Sequence, residues 1–224
     1  VAMAAGMGPF VQPVLLGFGL LSLAVAAAFI IGQRDLKRLL AYSSVEHMGL
    51  LVLGLGLGGV GAYGTVLHLV NNGLSKGWLF LVAGNVVLAT GTSSASGNRG
   101  LVRTLPVSGT LLVLGLFAVT GSPPFGLFLS EFTILRAAVA GGHAWIALVM
   151  LLLLAIIFVG MASLILEMAL GDPEPGMPVV RESAWLVAGP IALAAMVLLL
   201  GVYIPGVLHD ALAHAAITLG GSVP

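Results

Sequence analysis

Polar and charged positions are so sparse along this chain that they punctuate it, leaving long apolar windows between them. A membrane-spanning helix needs about 20 mostly apolar residues. Six windows meet that length: Gln12–Ile31, Leu40–Gly58, Tyr63–Thr90, Val107–Arg136, Trp145–Glu167 and Ala184–Val207. The pattern predicts an all-α polytopic transmembrane bundle of about six spans.

The fourth window carries its own interruption, Gly121-Ser122-Pro123-Pro124-Phe125-Gly126. Each proline removes a backbone donor and collides with the preceding turn, so this helix is expected to break near its middle. Broken backbone at membrane depth persists where protein or a water-filled cavity satisfies it, and transporters place ion sites at such breaks.

The connections at 32–39, 91–106 and 169–183 hold Arg34, Lys37, Arg38, Arg99, Arg103 and Arg181, whereas those at 59–62 and 137–144 and the tail after Pro205 hold no Lys or Arg. The positive-inside rule puts the first set in the cytoplasm and both termini on the outer side. Gly56, Gly58 and Gly61 match a GxGxxG spacing, but no strand precedes them, so helix packing and a tight turn are the expected roles. The prolines of Gly171–Pro178 predict a surface loop without chemistry.

Composition agrees with this picture and narrows the chemistry. The 224 residues are 59% hydrophobic and 7% charged, with a mean hydropathy of +1.17, which excludes a water-soluble globule. Eight basic residues balance eight acidic ones, so nucleic acid is not an expected partner. Cysteine is absent, which removes disulfides, thiolate zinc and iron–sulfur ligation. No cofactor motif and no metal site is assigned, so redox chemistry is expected in a partner. The chain opens on Val1 with no basic segment before its apolar stretch, so no secretory signal is expected and the natural beginning is expected to lie upstream.

Ionisable groups within a bilayer are costly and mark ion pathways. Here they are Glu46 and His47 near the start of the second window, and His68 and Lys76, with Asn71, Asn72 and Ser75, in the third. The fourth holds Glu131 and Arg136. His68, Asn72 and Lys76 stand at i, i+4 and i+8 and so share one helix face. His68 can relay a proton through its two nitrogens, and Asn72 can bridge or hold a water. Lys76, among Gly77, Trp78, Leu79 and Phe80, is expected to be desolvated enough to release a proton. The alternative has Lys76 paired with a carboxylate, His68 bonded to a carbonyl and Glu131 paired with Arg136, all serving the bundle only. Glu46, close to a span end, is read equally as a functional group or as a solvated interfacial one. His143, His209 and His214 are expected to be solvated in loops or the tail.

These motifs resemble those of the antiporter-like proton-pumping membrane subunits of respiratory complex I, Mrp antiporters and membrane hydrogenases. Arg34 through Gly49 (Arg-Asp-Leu-Lys-Arg-Leu-Leu-Ala-Tyr-Ser-Ser-Val-Glu-His-Met-Gly) is similar to the family's loop-and-helix signature. His68 through Phe80 resembles its His/Lys helix, and Gly121 through Phe132 its discontinuous helix. Glu46-His47-Met48-Gly49, Gly84-Asn85 and Thr120 through Gly126 are most similar to the F-type membrane subunit of hydrogenase-4.

The resemblance covers about residues 12–170. It implies a second inverted repeat plus the last helix, with the family's first repeat and its lateral amphipathic extension missing. It divides the chain into a proton-conducting repeat, 1–170, and a cytoplasmic loop, last helix and tail, 171–224. It further implies a subunit in the inner membrane that conducts protons and associates with other membrane subunits and hydrophilic redox subunits. The expected route runs from His68 through the Asn72 region to Lys76 and Glu131. Asn72 stands where the family often has a second histidine, so a water is expected to bridge there. Two rival functions remain open: a structural scaffold that pumps nothing, and a sodium/proton antiporter subunit.

Overall fold

A computed structural model describes residues 8–173 and 179–223. Its helices are α1 (Gly8–Ile30), α2 (Leu36–Leu57), α3 (Val60–Thr90), the short α4 (Leu101–Thr104), α5 (Pro106–Val119), α6 (Gly126–Ala140), α7 (Ala144–Leu170), α8 (Ala184–Val202) and α9 (Gly206–Thr218). Five of them, α1, α2, α3, α7 and α8, are long and apolar enough to cross a membrane. The fourth window is divided between α5 and α6, 14 and 15 residues long, so one passage is made by two half-length helices.

The interruption falls where the prolines predicted it. Helix α5 ends at Val119, Gly121 turns the chain with φ +63°, and the Pro123–Pro124 bond is cis. Ser122 N donates to the Phe117 carbonyl at 2.9 Å and Phe125 N to the Ser122 carbonyl at 3.1 Å, so the break keeps part of its backbone bonding.

Among the boundaries that differ from the sequence expectation, two have a direct physical reason. Helix α2 starts at Leu36 because the Asp35 side chain caps it, accepting from Arg38 N at 2.9 Å. Burial raises the Asp35 pKa, but the Ser93 hydroxyl at 2.5 Å and the Arg38 and Lys37 amides outweigh that and hold it below the ordinary value. The longer α2 places Glu46 in mid-helix, where it is 1% exposed, which corrects its interfacial alternative. At the other end α8 stops at Val202, because Tyr203 is extended and Ile204 precedes Pro205, a position that disfavours helix. The segment after Pro205, expected as a tail, forms α9, whose Leu212 and Ala216 pack on Ala62, Tyr63 and Leu67 of α3.

Burial runs opposite to that of a soluble protein. Phe18, Leu88, Leu148, Val159 and Trp185 are exposed, while Glu46, His47, His68, Asn71, Asn72, Lys76 and Glu131 are buried. Such an arrangement suits a bundle solvated by hydrocarbon around a polar interior. Its largest apolar core joins α1, α2, α3, α5 and α7 around Trp78. Small residues let the helices approach: a side chain on Gly61 would lie 2.7 Å from the Gly54 carbonyl, and Gly58 turns with φ +64°. The GxGxxG glycines are therefore packing and turn residues.

The three basic connections meet at one end of the bundle. Glu167 pairs with Arg34 at 2.9 Å and Arg99 at 2.5 Å, and Arg103 with Asp172 at 3.4 Å. At the opposite end the α2–α3 turn meets the chain's last residues, with Ser222 N donating to the Gly59 carbonyl at 3.0 Å. The proline-rich loop expected at Gly171–Pro178 lies, over 174–178, outside the described residues.

Beyond that segment, Glu182 accepts from Val107 N at 2.8 Å, from Ser108 N at 3.0 Å and from the Ser108 hydroxyl, and so caps α5 from the α7–α8 connection. Substituting Glu182→Ala is expected to cost about 1 kcal/mol, the usual worth of an N-cap. A fall in the thermal unfolding midpoint, with faster hydrogen exchange confined to Val107 and Ser108, checks it.

Candidate functional site

The buried polar side chains converge from three helices. Helix α2 contributes Ser43, Glu46 and His47; α3 contributes His68, Asn71, Asn72, Ser75 and Lys76; α6 contributes Ser130 and Glu131. His68 stands between the other two helices. Its Nε2 is 3.1 Å from His47 Nδ1, and its Nδ1 is 2.9 Å from Ser130 Oγ.

The polarity of this row follows from its last member. Ser130 has one hydroxyl proton and donates it to the Leu127 carbonyl at 2.8 Å, since a carbonyl can only accept. His68 Nδ1 must therefore carry the hydrogen it shares with Ser130, which leaves neutral His68 with its lone pair on Nε2. His47 Nδ1 must then donate to that nitrogen, which leaves His47 Nε2 as a lone pair with no protein partner. The bonds run His47 to His68 to Ser130 to Leu127. This polarity defines a one-directional hydrogen-bonded row with an accepting site at its His47 end.

Lys76 is bound on the α2 side. Its Nζ donates to the Leu40 carbonyl at 3.3 Å and to Ser43 Oγ, whose own hydrogen goes to the Leu40 carbonyl at 3.0 Å. Lys76 thus has two acceptors. An ammonium has three N–H groups and a neutral amine two, so the side chain can lose a proton and keep both bonds. It forms no ion pair among the described residues, and neither does Glu131. Arg136 lies apart, at an exposed position beside Leu57 and Ser222. The pairings expected under the purely structural alternative are not formed.

Glu131 sits at the break. Its carboxylate lies against Gly121 so closely that a Cβ there would overlap it, and its Oε1 has no protein partner. Asn71 Nδ2 donates to the Gly126 carbonyl at 3.0 Å, tying α3 to the start of α6, and a Cβ on Gly126 would overlap that amide. Pro123 and Pro124 lie in the break itself. A cavity of about 290 Å³, lined by Thr120, Phe128, Phe132, Met150 and Leu154 among others, reaches the Glu131 carboxylate. One ligand atom each from His47, His68 and Glu131 lie within 4.8 Å of one another.

The α3 stripe is therefore present but is not wired along its own axis. Asn72 is buried with its Oδ1 unpartnered and bonds to neither His68 nor Lys76; each of those reaches sideways to a neighbouring helix. Ser43, which accepts from Lys76, and Ser130, whose hydroxyl fixes the row's polarity, have no role in the sequence reading. Their only sequence signal is position, three residues before Glu46 and one before Glu131. Of the outlying histidines, His209 bonds through Nδ1 to the Tyr63 hydroxyl at 2.8 Å and ties α9 to α3, which corrects its reading as merely solvated. His143 is half-buried with Nδ1 unpartnered, and His214 is exposed.

The described helices thus define a class of membrane-spanning helical bundles with one broken span and a buried row of protonatable groups beside the break. The chain belongs to the NADH:quinone oxidoreductase/Mrp antiporter transmembrane family, whose model matches residues 1–158. It is 33% identical over 215 residues to a hydrogenase-4 component F homologue of Methylacidiphilum infernorum, covering 92% of this chain and 43% of that protein. It is 31% identical to Na(+)/H(+) antiporter subunit A1 of Staphylococcus haemolyticus, covering 89% of this chain and 28% of that one. A chain of respiratory complex I from Thermus thermophilus with bound NADH superposes with a TM-score of 0.84 at 27% identity, over 95% of this chain and 45% of that one. The chain thus spans less than half the length of these relatives.

Proposed function

We propose that this chain is the proton-conducting part of an integral membrane subunit in a redox-driven complex of the hydrogenase-4 or complex I kind. Other membrane subunits and hydrophilic redox subunits would be its partners, in the inner membrane, with the basic end of the bundle in the cytoplasm and both termini outside. The conducting part comprises residues 1–170, and 171–224 supply the last spanning helix and α9. The observation that carries this reading is the buried, directionally bonded row His47–His68–Ser130, with Lys76 on one flank and Glu131 at the helix break on the other.

Lys76 stores the proton, since it can be charged or neutral without losing its two bonds. Transfer to the imidazole pair passes Glu46 and Asn72, both buried with an unpartnered oxygen that can hold a water. His47 Nε2 accepts, His47 Nδ1 hands its own proton to His68 Nε2, and Glu131, with a carboxylate oxygen within 4.8 Å of the histidine pair, takes a proton from the pair and exchanges it through the break; the Ser130–Leu127 end of the row fixes the His68 tautomer and carries no proton. No step needs a cofactor in this chain; driving force arrives from the redox partners.

The test is redox-driven proton uptake by the intact complex reconstituted in vesicles. Glu131→Gln, isosteric but unable to ionise, is expected to lower uptake about tenfold or more at unchanged assembly, with Glu131→Asp retaining part of it. Unchanged uptake in Glu131→Gln would select the structural scaffold instead. The antiporter reading is favoured by the 31% identity to the Staphylococcus subunit; sodium-dependent exchange without an electron donor selects it.

A further inference from the structure

The cluster at the centre of the row has a donor set that proton conduction does not require. We propose that His47, His68 and Glu131 form a three-ligand binding site for a divalent transition metal, Zn²⁺ in the first place. Two imidazoles and a carboxylate are a recognised zinc donor set, with a fourth position left for water. One ligand atom of each residue lies within 4.8 Å of the others. All three are buried, the histidines completely and Glu131 to 8% exposure.

Three independent features of the site point to a cation. First, Glu131 Oε1 is a buried acceptor without a partner, and an oxygen of the same carboxylate lies within 4.8 Å of a nitrogen of each histidine. Leaving it unpaired costs about 1–3 kcal/mol, and a metal that draws on it removes the deficit. Second, His68 is already held as a metal-ligating histidine is held: its Nδ1–H donates to Ser130 Oγ at 2.9 Å, so that Nε2 presents a lone pair. Third, the imidazole nitrogens of His47 and His68 are 3.1 Å apart with one proton between them. Tetrahedral zinc needs nitrogens about 3.4 Å apart, so opening the pair by a few tenths of an ångström lets Zn²⁺ take that proton's place.

Binding is then an exchange. Zn²⁺ enters between the rings, and the hydrogen on His47 Nδ1 passes through water to the lone pair on His47 Nε2, so both imidazoles stay neutral. Any proton on the Glu131 carboxyl leaves to water. The carboxylate supplies one negative charge to the ion, and the buried Glu46 lies one residue from His47 on α2. The cavity beside Glu131 leads from the α6–α7 side to the carboxylate. Metal binding itself does not depend on the conduction proposal. Its consequence does: with the shared proton displaced, the row cannot relay, so Zn²⁺ blocks proton transfer.

The experiment uses the full-length protein, purified without a histidine tag and embedded in lipid nanodiscs. Co²⁺ serves as a visible probe and Zn²⁺ as its competitor. The expected result is one Co²⁺ per chain with the absorption of a four- or five-coordinate nitrogen/oxygen site, displaced stoichiometrically by Zn²⁺. His47→Ala, His68→Ala and Glu131→Gln are expected to abolish that absorption. Ser130→Ala, which removes only the support of His68, is expected to weaken binding about 10- to 100-fold. The combined His143→Ala, His209→Ala, His214→Ala variant keeps the site. Circular dichroism and gel filtration establish that each variant is folded; where a histidine variant is not, Glu131→Gln and the zinc X-ray absorption spectrum of the unaltered protein decide. The proposal is overturned if the unaltered protein binds no stoichiometric Co²⁺, or if binding survives in Glu131→Gln with its spectrum unchanged. In the intact complex, a stoichiometric metal that leaves proton uptake undiminished overturns the conduction proposal and leaves the metal site standing.

Discussion

Replacing Lys76 by arginine is expected to stop redox-driven proton uptake while leaving the complex assembled. The guanidinium keeps a positive charge and can donate to the same two acceptors, the Leu40 carbonyl and Ser43 Oγ. It cannot release a proton in the accessible pH range. Lys76→Arg therefore preserves charge and hydrogen bonding and removes only the change of protonation state. If Lys76 serves the bundle as a fixed cation, arginine replaces it and uptake continues. If it stores a proton, uptake falls on the order of 100-fold, the scale on which removing a positioned acid or base is felt. Lys76→Met provides the complementary case: it fills similar volume, loses charge and both bonds, and leaves Ser43 Oγ without a donor. It is expected to lose uptake equally and to lower the thermal unfolding midpoint as well, which the arginine variant does not. Uptake is measured with a pH-sensitive dye in proteoliposomes, at matched electron-transfer rates. A Lys76→Arg variant that pumps normally sinks the storage role.

How much of this site can be read from sequence depends on which residues form it. His68, Asn72 and Lys76 lie on one helix, so a spacing of four exposes their common face, and the rarity of ionisable groups in apolar windows exposes Glu131. The double proline announces the broken helix, because its two lost donors are a local property of the chain. The connections between these groups are not local. His47 meets His68 across 21 residues and Ser130 meets it across 62, distances over which no periodicity is visible. The axial route through Asn72 is the natural expectation from one helix seen alone; packing α2 and α6 against α3 turns His68 and Lys76 outward to partners of their own. Glu46 is misplaced for a smaller reason. Taking Lys37 and Arg38 as loop residues shortens α2, whereas the Asp35 cap draws both into its first turn. A metal-ligand spacing is equally invisible, since each of its three ligands belongs to a different helix.

Gly121 is the position where fold and site are most tightly joined, and Gly121→Ala is expected to damage both. The residue sits at φ +63°, a left-handed conformation that costs a non-glycine residue about 1–2 kcal/mol. A Cβ there also overlaps both carboxylate oxygens of Glu131, so the carboxylate must swing away. The space open to it is the cavity lined by Phe128, Phe132, Met150 and Leu154, where the hydroxyl of Thr120 already donates to the Leu116 carbonyl at 2.8 Å. The break would thus stay in place with its proton-exchanging group withdrawn from the His47–His68 pair. Backbone strain alone can be separated from this displacement through Gly91, the α3 C-cap. It has φ +76°, and a Cβ there would meet no atom within 4 Å. Gly91→Ala is expected to lower the unfolding midpoint by less than Gly121→Ala, which adds the displaced carboxylate to the same backbone strain, and to leave proton uptake unchanged. Gly121→Ala is expected to reduce uptake to the level of Glu131→Gln. Equal uptake in the two alanine variants would mean that the position of the Glu131 carboxylate beside the break does not matter to conduction, and that the glycine is there for the turn alone.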